Sequence, residues 1–387
     1  MNKNIKPLYA SPRPGDVKHS LAEIGKASNL LHYSPQINVA TGIKKSIEWF
    51  SNHFQKINIL LGILVSLFFI WLAFRGTDVA GIKSSFKTVN YLYIIPVVFL
   101  TIIVQILRSY RWGVILEPIK KIDQWSLFSI TAVGFLAINL LPWRMGEFAR
   151  PYLISRKCAI KMGSSLATIL VERIFDMLTL MIVLLLVLMM VELPAWLFRS
   201  ACSILIVVIL LLLLLILLVV KRELSAKWVD RIISKLPETL SSRSMRLFHS
   251  FLDGLQILPD LKKTFYLAFL SAVIWSLLAL SSYILFSSFA SMLSLPLVAA
   301  YAVLAITALG VTLPTAPGFV GNFHFSCVLA LTLFGISKND ALTFAILLHF
   351  IQVMITILLG VIFLPSIKVP LPSIFKGGKQ VNANSNE

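Results

Sequence analysis

Apolar residues in this chain gather into long runs at about 57–74, 91–107, 125–143, 165–191, 195–220, 265–290, 294–313, 322–336 and 341–365. Most reach the roughly 20 residues that a helix rising ~1.5 Å per residue needs to cross a bilayer. Three runs, 125–143, 294–313 and 322–336, are interrupted or flanked by Pro and Gly. Leu141-Pro142-Trp143 closes the first, and Leu313-Pro314-Thr315-Ala316-Pro317-Gly318 joins the other two. The pattern predicts an all-α polytopic membrane protein with eight or nine hydrophobic segments.

The basic residues choose among threadings, because cytoplasmic loops carry the excess of Lys and Arg. Residues 1–56 hold eight Lys/Arg, the 221–264 loop holds nine with five acidic residues, and the tail adds Lys368, Lys376 and Lys379. A full span at 125–143 would place the 221–264 loop outside. If 125–143 instead dips in and returns, 29 of the 35 Lys/Arg are cytoplasmic, together with both termini. The expectation is six full spans plus two re-entrant elements in the cytoplasmic (inner) membrane. The segments are a cytoplasmic 1–56, a transmembrane 57–365 and a short cytoplasmic tail 366–387. The 221–264 loop reads as an amphipathic surface segment.

Composition narrows the class further. Hydrophobic residues are 58% of the 387 and charged residues 13%, against roughly 45–50% and about 25% in soluble proteins. The mean hydropathy is +0.86. A water-facing globular surface, disorder and a collagen repeat are excluded. The net charge of +18 then points to anionic lipid and not to nucleic acid. Cys158, Cys202 and Cys327 are far apart and make neither a zinc site nor a disulfide framework.

Two short stretches repeat. Residues 141–146 align with 313–318, and 167–173 align with 344–350, at spacings of 172 and 177 residues. Each copy reads as a dip, a Leu-Pro turn with Gly, a connector and a long helix with polar residues in its first turns. The copies enter from opposite sides in the threading above, so an inverted repeat is expected, with broken helices meeting near the midplane.

The densest polar cluster lies in the first copy. Arg144, Glu147 and Arg150 follow the Pro142 turn, and Glu172, Arg173 and Asp176 interrupt an apolar helix. Glu172 and Asp176 are four apart and share a face, while Arg173 and Asp176 are three apart and can pair. Ionisable groups at bilayer depth persist when they pair or line a wet cavity. The set either pins the re-entrant loop by internal salt bridges or admits a phosphate, which Arg binds in bidentate fashion. Arg108 and Arg111 share a face at the end of the second span. They read as interfacial anchors, or as the groups that capture lipid phosphate at an entrance. The second copy carries neutral groups instead: Pro317 and Gly318 in its turn, then Asn322, His324, His349 and Gln352, with His349 aligned to Glu172. The two His lack a third ligand at metal spacing, so no metal is expected. No nucleophilic triad, P-loop or GxGxxG is readable, and no cofactor is expected.

The Pro-x-Arg-x-Gly-Glu-x-x-Arg run at 142–150, the Glu172-Arg173-x-x-Asp176 helix and the 314–321 turn resemble the lysylphosphatidylglycerol synthase transmembrane family, of the UPF0104 type, over about 57–365. The resemblance implies a flippase-like membrane domain that moves a lipid or a lipid-linked glycan. The soluble aminoacyltransferase domain of two-part members has no counterpart among the 22 residues after the last run. Residues about 7–50, through Arg13-Pro14-Gly15-Asp16 and Gly42-Ile43-Lys44-Lys45, resemble the C-terminal end of a nucleotide-sugar epimerase of the extended short-chain dehydrogenase family. The Gly motif and Tyr-x-x-x-Lys pair of that family are absent. Together these imply anionic phospholipid or a polyprenyl-phosphate-linked sugar as partner, with a homodimer or glycan-synthesis enzymes as further partners and no nucleic acid. A membrane-embedded transferase acting on a lipid headgroup, with Glu147 and Glu172 as acid and base, and an accessory subunit are the competing readings.

Overall fold

The computed structural model describes Thr41 and residues 62–141, 146–191, 195–234, 238–312 and 316–367. The epimerase-like stretch, save Thr41, lies outside these residues, as do Pro142–Arg144, Pro314 and the tail from Lys368 on. Every regular element among them is helical.

The chain enters through α1 (Gly62–Phe74), which meets α2 (Val79–Thr88) at 77°. The sequence pattern predicts one full span at 57–74, with the next apolar run starting at 91. The structure instead builds a bent pair. Thr77 donates to the Phe74 carbonyl at 2.7 Å, and Asp78 caps α2 by accepting from Gly81 N–H at 3.1 Å. An N-cap of this kind starts a helix with few apolar residues, which hydropathy alone misses.

Among the described residues five helices are long and apolar enough to cross a membrane, or six if the bent pair counts as one span. They are α3 (Ile94–Leu116, preceded by a 3₁₀ turn), α6 (Met162–Met190), α7 (Ala195–Val220), α10 (Leu261–Phe286) and α13 (Lys338–Phe363). The apolar α7, with a mean hydropathy of 3.8 over Ala201–Val220, has only 11% of its window buried. Such exposure needs a hydrocarbon solvent. Between α7 and α10 the chain forms α8 (Arg222–Ile233) and α9 (Glu238–Gly254). α9 packs on α6, and Arg222 ties to Asp253 at 2.8 Å. Lys263 reaches Glu117 at 2.7 Å, joining the start of α10 to the end of α3.

The three interrupted apolar runs become short helices: α4 (Gln124–Leu140), α11 (Leu297–Gly310) and α12 (Asn322–Thr332). At 17 residues α4 is ~25 Å long, short of a ~30 Å hydrocarbon core. A fixed order of elements appears twice. α4, a 3₁₀ turn at 146–148, α5 (Ala149–Cys158) and α6 follow one another. So do α11, the 3₁₀ turn Pro317–Phe319, α12 and α13. Packing is crosswise: α4 lies on α13, and α11 lies on α6. The cores follow suit. One gathers Ala299, Val303, Phe344 and Leu348 around α11–α13, and another gathers Trp112, Ile130, Leu153 and Ile154 around α3–α5.

Candidate functional site

Three helices and one turn carry the ionic residues. α6 presents Glu172, Arg173 and Asp176, α3 presents Arg108 and Arg111, α5 presents Arg150, and the 146–148 turn presents Glu147. Glu172 is 1% exposed and accepts from three guanidinia. Arg150 grips it in a two-pronged pair, Nη1 to Oε1 and Nη2 to Oε2, both at 2.9 Å. Arg173 Nη2 donates to Oε1 at 3.2 Å, and Arg111 Nη2 lies 3.4 Å from the same oxygen. The carboxylate of Asp176 takes Arg111 at 2.6 Å and 3.3 Å and the indole N–H of Trp275 at 3.1 Å. Arg173 stands farther from it, at 3.8 Å.

The backbone makes room for this network. A Cβ at Gly134 of α4 would collide with the Cβ–Cδ stem of Arg150, so the missing side chain lets Arg150 pass α4 toward α6. Its guanidinium lies 4.3 Å from the Trp112 ring and 5.4 Å from the Phe135 ring, contacts that favour a desolvated cation. Arg111 also donates to Ser271 at 2.6 Å.

The i,i+3 reading of Arg173 with Asp176 therefore gives the longer contact, and Arg111 holds Asp176 instead. Arg111 is no interfacial anchor: it is 1% exposed, drawn inward by two carboxylates on the neighbouring helix. Arg108, one turn before it, lies 5.1 Å from the Phe135 ring and makes no ion pair among the described residues.

In front of the network is a chamber of about 260 Å³. Its charged lining is Arg108, Glu147, Arg173 and Asp176. Its neutral polar lining is Asn139, Thr307, His349 and Gln352, together with Gln105, Ser282 and Thr356. Gln105, Asp176, Trp275 and His349 each sit near the middle of their long helix, which sets the chamber at mid-height of the bundle. In the neutral lining, the His349 ring stacks on Phe323 at 4.6 Å and meets His324 edge-on at 4.8 Å. His324 Nδ1 accepts from Gly321 N–H at 3.3 Å.

The residues expected at the site thus divide. Arg108, Glu147, Arg173, Asp176, His349 and Gln352 line the chamber, and Arg111, Arg150 and Glu172 are buried behind it. Pro317 and Gly318 form the turn whose next residue, Phe319, lines it. Gly318 has φ +73° and Phe319 +57°, two successive left-handed residues, the second with a side chain that disfavours the geometry. The Ala316 N–H bound to Ser66 Oγ at 2.9 Å steadies this turn. Asn322 is buried away from the chamber and donates to the Gly310 carbonyl at 2.9 Å, tying α12 to the end of α11. Arg144 lies outside the described residues. Sequence reasoning passed over Trp275 and Ser271, polar contacts within an apolar run, and Gln105, whose Nε2 donates to Thr356 at 3.2 Å. A lone Trp in the middle of an aliphatic span was the one available signal.

Residues 59–360 match the family described as the lysylphosphatidylglycerol synthase TM region. The epimerase-like stretch falls before that match. A UPF0104 membrane protein of Methanothermobacter thermautotrophicus is 22% identical over 255 residues, covering 62% of this chain and 75% of its own. No solved structure matches the chain. The match spans both arms of the crosswise packing and every residue of the chamber, so this multi-pass membrane protein belongs to the lysylphosphatidylglycerol synthase TM-region family.

Proposed function

We propose that the chain binds the phosphate-bearing headgroup of a membrane lipid, or of a polyprenyl-phosphate-linked sugar, in the midheight chamber and moves it between leaflets. The observation that carries this reading is a charge imbalance. Among the described residues four guanidinia (Arg108, Arg111, Arg150, Arg173) face three carboxylates (Glu147, Glu172, Asp176), and Arg108 is the one that makes no ion pair with them. A desolvated cation at the edge of a polar chamber is stabilised by an anion from outside the fold. The neutral lining of Asn139, His349 and Gln352 offers hydrogen bonds to the hydroxyls of a glycerol or sugar head.

The two successions of short helix, turn and long helix, packed crosswise, suit an inverted repeat with alternating access around a fixed site. The family description, naming a lysylphosphatidylglycerol synthase, agrees with lipid handling in the cell envelope. The charge distribution favours both termini in the cytoplasm.

The test is reconstitution in vesicles with a fluorescent anionic phospholipid whose outer-leaflet fraction is read by membrane-impermeant quenching. Wild-type protein should scramble the label without changing it chemically. Arg108→Gln should slow movement roughly 10- to 100-fold, the equivalent of one charge-assisted hydrogen bond of ~1.5–3 kcal/mol. Equal rates for wild type and Arg108→Gln in intact protein would remove the assignment.

A further inference from the structure

Beside the chamber lies a second, larger cavity of about 860 Å³ between α6, α7, α10 and α11. Its lining is apolar apart from Thr179, Ser276 and Tyr301. The hydroxyl of Tyr301 donates to Ser276 at 3.2 Å, and Thr179 is bonded to its own helix at Phe175.

The two cavities share walls. On α6, Phe175 lines the groove and Asp176 the chamber. On α10, Ser276 lines the groove and Trp275 the chamber. On α11, Tyr301 lines the groove, and Val303 and Leu304 the chamber. Trp275, pinned to Asp176 by its N–H, stands on the partition.

We infer that the groove holds an acyl chain of the same lipid whose headgroup enters the chamber, with Trp275 as the gate between the two. This rests on the chamber reading above. The length of the groove and its shared walls with the chamber favour an acyl chain. Along α6 the groove runs from Phe175 to Met190, about 22 Å at helical rise. That exceeds the ~15 Å half-thickness of a hydrocarbon core. Spread over this length, the volume leaves a mean cross-section of about 40 Å². That width admits polymethylene, and the shared walls let the head of the same lipid reach the chamber. The side-chain polar pair of the lining, Ser276 with Tyr301, has Ser276 beside Trp275 in the chain. That is where the ester region of a lipid would sit if its head lay in the chamber.

The experiment uses the full chain in nanodiscs containing a trace of phospholipid with a diazirine at the acyl terminus, in anionic and zwitterionic headgroup forms. Adducts are mapped by mass spectrometry. Labelling should concentrate on Ile182, Leu186 and Phe269, and unlabelled anionic lipid should compete better than zwitterionic lipid. Ala272→Trp, which fills the groove from an exposed position, should cut groove labelling roughly tenfold, the loss expected when about two methylenes are excluded. Ala272→Ser should not, and the melting temperatures of both variants report that they fold. Even labelling of all bilayer-facing helices, or labelling unchanged by Ala272→Trp, overturns the groove assignment. Groove labelling without headgroup preference leaves the groove standing and overturns the link to the chamber. Headgroup preference with even labelling does the reverse.

Discussion

Glu172 and Arg150 form a two-pronged pair in the ionic network, both contacts at 2.9 Å, yet removing one partner should not equal removing the other. In Arg150→Gln the Glu172 carboxylate keeps Arg173 at 3.2 Å and Arg111 at 3.4 Å. The loss is then a charge-assisted pair with two remaining donors, about 1.5–3 kcal/mol. In Glu172→Gln, Arg150 loses its carboxylate and keeps its ring contacts with Trp112 and Phe135. A buried cation stranded in this way costs about 3–5 kcal/mol. At roughly 2–4 °C per kcal/mol, thermal unfolding in detergent should show Glu172→Gln falling by about 6–20 °C and Arg150→Gln by about half of that. The double variant Arg150→Met with Glu172→Leu should recover most of the loss, since a well-packed apolar pair is often neutral to stability. If Arg150→Gln proves as destabilising as Glu172→Gln, the argument from shared acceptors is wrong.

Two further outcomes are expected outside the spanning segments. Asp123 caps α4 and accepts from Ser126 N–H at 2.8 Å; that backbone bond holds its carboxyl below the usual range. Its contribution is therefore present above the ordinary carboxylate pKa and lost as pH falls through the lowered value. Asp123→Asn should flatten the acid limb of a stability–pH curve, and an unchanged limb would refute the cap's role. Cys158, half-buried at the end of α5, has its thiol pushed up by burial. An impermeant maleimide should label it slowly, and only from the cytoplasmic side, as compared in right-side-out and inverted vesicles; fast labelling from outside would overturn the topology.

Much of this site was legible because helical spacing is local. Glu172, Arg173 and Asp176 interrupt an apolar run at intervals that bring two carboxylates to one face, and the Pro142 turn marks where Glu147 and Arg150 return toward them. The partner of Arg111 was not legible, because 65 residues separate it from Asp176 and only the packing of α3 beside α6 brings them together. The same holds for Trp275. The bend after α1 escaped for another reason: α2 is started by a cap and held by Ser85 bonded to Asp340 at 2.6 Å, a contact invisible to hydropathy. His349 was found through the internal alignment, which matched it to Glu172, and Gln352 lies three residues on, on the same helical face.

The unequal lining of the chamber has a mechanical consequence. On one side, ion pairs knit α3, α5 and α6 into a unit, and pulling them apart would expose charges that have no water to receive them. On the other, α11 and α13 touch the chamber through the hydroxyls of Thr307 and Thr356, the amide of Gln352 and the imidazole of His349, whose bonds exchange at small cost. The fold therefore has a fixed jaw and a yielding one. Any displacement would cost least along the uncharged seam, where Phe319, with φ +57°, already holds the backbone away from its relaxed geometry.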